Sequence, residues 1–173
     1  MLKKEILEAI QKLDYTGVPF SEVCERLYYD DVGGITQMCG YAHEGEVIDA
    51  LPERIRFLYL ILWLQTEYMN DGLLSVFYNH SVSELKRFLK VVKSAGITDL
   101  TDLVEKALQV ILTKVPMPSD ESHTFMEGSD AQPHDFFGDD IGNAIEEIEN
   151  EIDSSLISSE EFWNRVEAAW NSL

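Results

Sequence analysis

The sequence predicts an all-α protein, read as one compact multi-helix domain over residues 1–173 with an acidic, helical C-terminal third. Three observations carry that prediction. Apolar residues recur at helical spacing almost throughout, and no segment alternates convincingly with the period of two that a half-buried strand requires. Glycine, proline or a capping residue punctuates the periodic stretches where helices would start or stop. Leu, Ile, Val and Phe make up 52 of the 173 residues, well above the roughly 20% below which high net charge accompanies disorder. A core can therefore form.

The elements follow in order. Leu2, Ile6, Ile10 and Leu13 share one face of a first helix, which Thr16-Gly17-Val18-Pro19 stops. Phe20, Val23 and Leu27 begin a short second one. Residues 30–46 contain Gly33, Gly34, Gly40 and Gly45 and read as loop with one short helix at most. Pro52 suits the first turn of a long helix, where its missing N–H has no partner to lose. Ile55, Leu58, Tyr59 and Leu62 mark the buried face of that helix, continued by Thr66 and Met69. Leu60, Ile61, Trp63 and Leu64 make it apolar on most other sides, as a central helix is. Gly72 ends or bends it, and residues 73–78 form another short buried helix. Ser81 and Glu84 have capping-box spacing ahead of Leu85, Phe88, Leu89 and Val92. Gly96 suits the left-handed position beyond a helix end. Thr98 or Asp99 opens the next helix, with Leu103, Val104, Ala107, Leu108 and Ile111 facing inward.

Residues 115–138 hold Pro116, Pro118 and Pro133, show no period, and read as a long acidic loop. Acidic amphipathic helices follow over residues 139–173. Ile141, Ile145, Ile148 and Ile152 fall within about 60° of one another at 100° per residue. Glu146, Glu147, Glu149, Glu151 and Asp153 are expected on the opposite arc. Ser158 and Glu161 match a second capping box, and Phe162, Val166, Ala169, Trp170 and Leu173 make the last helix amphipathic.

Charge is distributed very unevenly along this chain. The net charge is −19, yet residues 1–114 hold seventeen acids against twelve bases, and residues 115–173 hold fifteen acids against Arg165 alone. Such a field attracts basic partners and repels nucleic acid and anionic membranes. A run of acids is ordinarily a solvated face. A disordered tail would not keep isoleucines at helical spacing, and a halophile-like surface would be acidic throughout. The like-charge pairs Glu147/Glu151, Glu149/Asp153 and Glu146/Glu149 each cost about 0.2–0.5 kcal/mol, although mixed signs would serve solubility as well. That arrangement favours a binding role. Duplex DNA carries one negative charge per roughly 1.7 Å of axis, and carboxylates three or four residues apart on a helix lie about 5–6 Å from one another at Cβ. A rigid acidic helical face therefore has the spacing to occupy a DNA-binding surface in place of DNA. The candidate contacts are Glu146, Glu147, Glu149, Glu151 and Asp153, joined by Asp139, Asp140, Glu160 and Glu161. Lysines at 146, 149 and 153 together are expected to weaken binding severely and to leave the helix at least as stable.

The central segment adds a resemblance. Leu51-Pro52, then Arg54, Arg56 and Tyr59, then Trp63-Leu64, Glu67, Asn70-Asp71-Gly72 and Phe77-Tyr78-Asn79 resemble a family of bacterial helical domains of unknown function that includes a neisserial DNA mimic. Asp71 stands where that family commonly has Gly. The match is close over about thirty residues and continues loosely to Val115. The resemblance implies a helical homodimer whose negative surface imitates duplex DNA. It also implies a basic DNA-binding partner: a helix-turn-helix transcription factor, or a histone-like nucleoid protein. An acidic immunity protein that neutralises a basic nuclease toxin is the alternative, since the same electrostatics serve it.

No enzyme is expected. The chain has no Gly-rich phosphate loop, nucleophile elbow or HExxH helix. The spacings of Cys24, Cys39 and His43 match no zinc signature, and Asp130, Asp135, Asp139 and Asp140 lack the order of a calcium loop. Neither metal nor cofactor is expected. His80 reads as a helix-end residue, and Glu67, Asn70, Asp71 and Asn79 as caps around a glycine turn. The longest apolar run, 57–64, is eight residues, far short of the roughly 20 that cross a bilayer. Residues 1–15 lack the apolar core of a secretory signal, and two cysteines make no disulfide framework. A cytoplasmic protein with no membrane or direct nucleic-acid partner is expected.

Overall fold

The computed structural model describes residues 2–40, 43–126, 128–152 and 159–173, and every regular element among them is helical. In chain order these are α1 (Lys4–Gln11), α2 (Phe20–Arg26), a π-helical turn (Leu27–Val32), α3 (Gly33–Cys39), α4 (Glu44–Ala50) and α5 (Glu53–Asn79). They continue with α6 (Val82–Ser94), α7 (Thr98–Leu112), α8 (Pro133–Phe137), α9 (Asp139–Ile152) and α10 (Glu160–Ser172). The chain forms an all-α fold of two compact units, Met1–Trp63 with Trp170–Leu173, and Leu64–Ala169. Among the described residues, no helix is long and apolar enough to cross a membrane.

The first unit buries Ile6 and Ile10 of α1, Val23 of α2, Val47 and Ile48 of α4, and a continuous apolar stretch of α5 from Phe57 onward. Trp170 is an anchor of this core. The Tyr15 ring meets it edge-on at 6.1 Å and the Arg54 guanidinium lies 3.9 Å over its ring. The Tyr15 hydroxyl donates to Asp31 Oδ2 at 2.7 Å. Burial, and then the Asp31 carboxylate, push the Tyr15 phenol above its ordinary value.

Residues 30–46 depart from the expected loop. The π-turn runs directly into α3, and α4 begins at Glu44. Gly33 explains how: its N–H reaches back to the Tyr28 carbonyl, and a Cβ there would sit 2.5 Å from that oxygen. Gly40, at φ +83°, then ends α3. Glycines that suggested flexibility serve one close backbone approach and one helix stop.

The second unit begins within α5, which is two helices joined at Gly72, a break with φ 77° and ψ 177°. Leu73, Val76 and Phe77 beyond the break are buried, as expected. Met69, expected on the buried face, is 64% exposed, whereas Tyr68 is 7% exposed. Before the break the inward face is therefore set by Tyr68, whose hydroxyl donates to the Glu149 carbonyl, and the 55–62 stripe is not continued.

Both halves of the capping box are made at α6: Glu84 N–H donates to Ser81 Oγ, and Ser81 N–H to Glu84 Oε2. Two further amides that open α6 are met from the long loop, Val82 donating to the His123 carbonyl at 3.2 Å and Ser83 to that of Glu121 at 2.8 Å. Gly96, at φ +86°, follows the end of α6. Within 115–138, Phe125 and Met126 are buried, the Tyr78 hydroxyl donates to the Ala131 carbonyl, and α8 interrupts the expected loop. Pro133 opens α8 in the first-turn position that tolerates it, and Phe137 is its buried residue.

Helix α9 packs on α7 and α8 through Ile141, Ile145, Ile148 and Ile152, each no more than 1% exposed. Phe162, Val166, Ala169 and Trp170 of α10 are buried, but Leu173 lies beyond the helix and is 44% exposed. Ser158 and Asp153 lie outside the described residues. The amide of Phe162 donates to Ser159 Oγ at 3.1 Å at the start of α10.

Candidate partner-binding surface

The isoleucine stripe fixes which carboxylates of α9 can reach a partner. With 3.6 residues per turn, Glu146 and Glu147 lie about 130° to either side of the stripe's centre, and Glu149 only about 70° from it. The structure follows this geometry. Glu146 and Glu147 are exposed, with no ion pair among the described residues, and Glu149 is half-buried.

Glu149 has a task of its own. Its Oε1 accepts the Leu73 amide just past the break in α5, and a Cβ on Gly72 would lie 2.8 Å from that oxygen. The glycine of the central motif thus has two requirements at 72: a positive φ, and room for a carboxylate from α9. Lysine at 149 would remove the acceptor from the Leu73 amide and lower stability, which corrects the expectation that charge reversal at 146, 149 and 153 leaves the helix at least as stable.

The remaining candidates fall into two groups. Asp140 Oδ2 lies 2.6 Å from Lys114 Nζ and Glu151 Oε2 lies 3.3 Å from Lys106 Nζ, so two acids of α9 meet lysines from α7 and the residues just after it. The Lys114 ammonium holds the Asp140 carboxyl below its ordinary value by hydrogen bonding and then by charge. Asp139 is exposed, 3.8 Å from His134 Nδ1. Glu160 and Glu161 are exposed in the first turn of α10, where carboxylates suit the helix dipole. Glu161 borders an open groove of about 460 Å³ that also holds Lys106, Glu151 and the Arg165–Asp99 pair.

Lys106 and Lys114 count among the twelve bases that make residues 1–114 look nearly balanced. In three dimensions they are counter-charges of α9. Nothing in local spacing announces this, because the pairs span 45 and 26 residues.

Near Gly72, one polar side chain and one backbone carbonyl have local partners. Glu67 Oε2 lies 3.2 Å from His80 Nε2, and the Ser75 hydroxyl donates to the Asp71 carbonyl. Among the described residues no group of three or more His, Cys, Asp or Glu is placed to hold a metal ion. Cys24 and Cys39 are both half-buried thiols.

Residues 49–170 match the family model described as DMP19-like protein, a match that covers the central motif, α9 and most of α10. No curated protein and no solved structure matches the chain.

Proposed function

We propose that this chain, which belongs to the DMP19-like protein family and so to a family of DNA mimics, binds the DNA-contacting surface of a basic transcription factor or histone-like nucleoid protein and blocks its access to DNA. One observation carries the reading: Glu146 and Glu147 project from a helix whose opposite side is locked by four fully buried isoleucines. Asp139, Glu160 and Glu161 extend the negative surface. Carboxylates on a rigid frame lose little freedom when a partner arrives, which favours association. Opposite fields also steer the encounter, so binding is fast and salt-sensitive.

The helix-turn-helix class of partner suits a homodimeric mimic, because a dimeric repressor spans half-sites about 34–36 Å apart. The proposed setting is the cytoplasm, where such regulators meet their operators. A pull-down from native lysate at low and high salt tests the reading. The expected catch is a DNA-binding regulator that is released by salt and displaced by duplex DNA. Recovery of a nuclease would point instead to an immunity protein, and recovery of no basic protein would overturn both.

A further inference from the structure

We propose that the recess between the broken part of α5 and the middle of α9 is a subsite for an arginine side chain of the basic partner. The proposal rests on the reading above and deepens it. The recess, of about 400 Å³, is lined by Tyr68, Met69, Gly72, Glu146, Glu149 and Asn150.

Its walls are held by the contacts already described. Gly72 breaks α5, and Glu149 closes over the break onto the Leu73 amide. Tyr68 is buried and its hydroxyl donates to the Glu149 carbonyl at 3.2 Å. Met69 is 64% exposed, and the recess is otherwise lined mostly by polar groups, those of Glu146, Glu149 and Asn150. Glu146 of α9, which lines the same recess, is exposed.

An apolar thioether and an exposed carboxylate lining one recess match a side chain that is apolar along its stem and cationic at its head. Methionine moulds to such a stem. Arginine fits better than lysine for two reasons. Its guanidinium is less strongly hydrated, so a half-enclosed recess costs it less, and its planar fork pairs with a carboxylate through two donors. An acidic face alone takes any polycation and releases it in salt. A recess that also buries the stem adds a component that screening does not remove, and it prefers arginine.

The test uses the full chain labelled at the methionine methyls, titrated with deca-arginine and with deca-lysine at about 0.15 M salt and again at about 1 M, where the Debye length falls from about 8 Å to about 3 Å. Met69→Leu identifies the Met69 resonance, and calorimetry measures total binding. The Met69 methyl is expected to shift with the calorimetric affinity for deca-arginine and much less for deca-lysine. The methyls of Met38 and Met117, also exposed, should stay in place. Met69→Ala should weaken deca-arginine binding several-fold at the higher salt and leave deca-lysine binding at the lower salt unchanged. If both peptides bind and the Met69 methyl stays still, or moves equally for each, the subsite is wrong and the acidic-face reading stands. If neither peptide binds, both fail. A Met69 shift on raising the concentration of the protein alone would assign the recess to a second copy and overturn the arginine subsite.

Discussion

Helices α6 and α9 are nearly equal in length, thirteen and fourteen residues, and each buries one apolar stripe. They differ in what they expose. Helix α6 has Glu84 in its first turn, Lys93 in its last, and Lys86, Arg87 and Lys90 between. That order complements the helix dipole at both ends, and the N-terminus is closed by a complete capping box. Helix α9 starts well, with Asp139 and Asp140, but then continues acidic to Glu151 with no base in its last turn. The charges of α6 help to hold α6. Those of α9 oppose it, and the isoleucines together with Lys106, Lys114 and the Glu149–Leu73 bond keep it in place.

Ile148→Ala puts that contrast to its hardest test. Its side chain is 1% exposed, so the cavity should cost about 2–5 kcal/mol, read as a lower urea midpoint at unchanged slope. A loss below about 1 kcal/mol would mean that something other than the stripe secures α9. Next in size is the difference between two glutamates of the same helix. Glu149→Ala strands the Leu73 amide and should cost about 1–3 kcal/mol, whereas Glu146→Ala, on the open side, should stay within about 0.5 kcal/mol. Equal costs would erase the distinction between a structural and an outward carboxylate.

Added NaCl should raise the melting temperature by a smaller amount, because screening relieves repulsion among acids that greatly outnumber their counter-charges. A flat or falling curve would show that the lysine pairs dominate. The finest effect belongs to Asp140. Its folded carboxyl titrates below the ordinary aspartate value because Lys114 favours the charged form. Its stabilising contribution is therefore present above that ordinary value and is lost as pH falls through the folded one. A carbon-detected titration should show the lowered midpoint, and Lys114→Ala should return it to the ordinary value.

Much of this was legible in the sequence, and what was not has physical causes. The isoleucine stripe, the Ser81–Glu84 box and the stops at Gly72 and Gly96 are local patterns read through helical geometry, and the structure follows them. Residues 30–46 misled because glycine marks both flexibility and close approach; only the Tyr28 carbonyl against Gly33 tells them apart. Met69 misled because the spacing of the 55–62 stripe does not show that Tyr68, bonded to the Glu149 carbonyl, sets the inward face before the break. Glu149 was partly legible, since its angle from the stripe already sets it apart from Glu146 and Glu147. Its acceptor role was not, because the Leu73 amide lies 76 residues away. Lys106 and Lys114 raise the same difficulty: sequence counting assigns each charge to its own region, and folding carries it to another.

Those two lysines have a further consequence for any cation that approaches α9. DNA holds a condensed layer of mobile counterions, and a protein that displaces them gains from their release. At α9 part of the counter-charge is supplied by the chain itself, through Lys114 against Asp140 and Lys106 against Glu151. Such tethered cations cannot diffuse away when displaced, so their exchange brings none of the mixing entropy that freed ions bring. A partner that takes over Asp140 or Glu151 must swap one ion pair for another. One that meets Glu146 and Glu147 instead displaces only loose salt. The salt dependence of association should therefore count fewer charges than the helix bears. Two of the acids of α9 are thus neutralised in advance, at fixed places along its length.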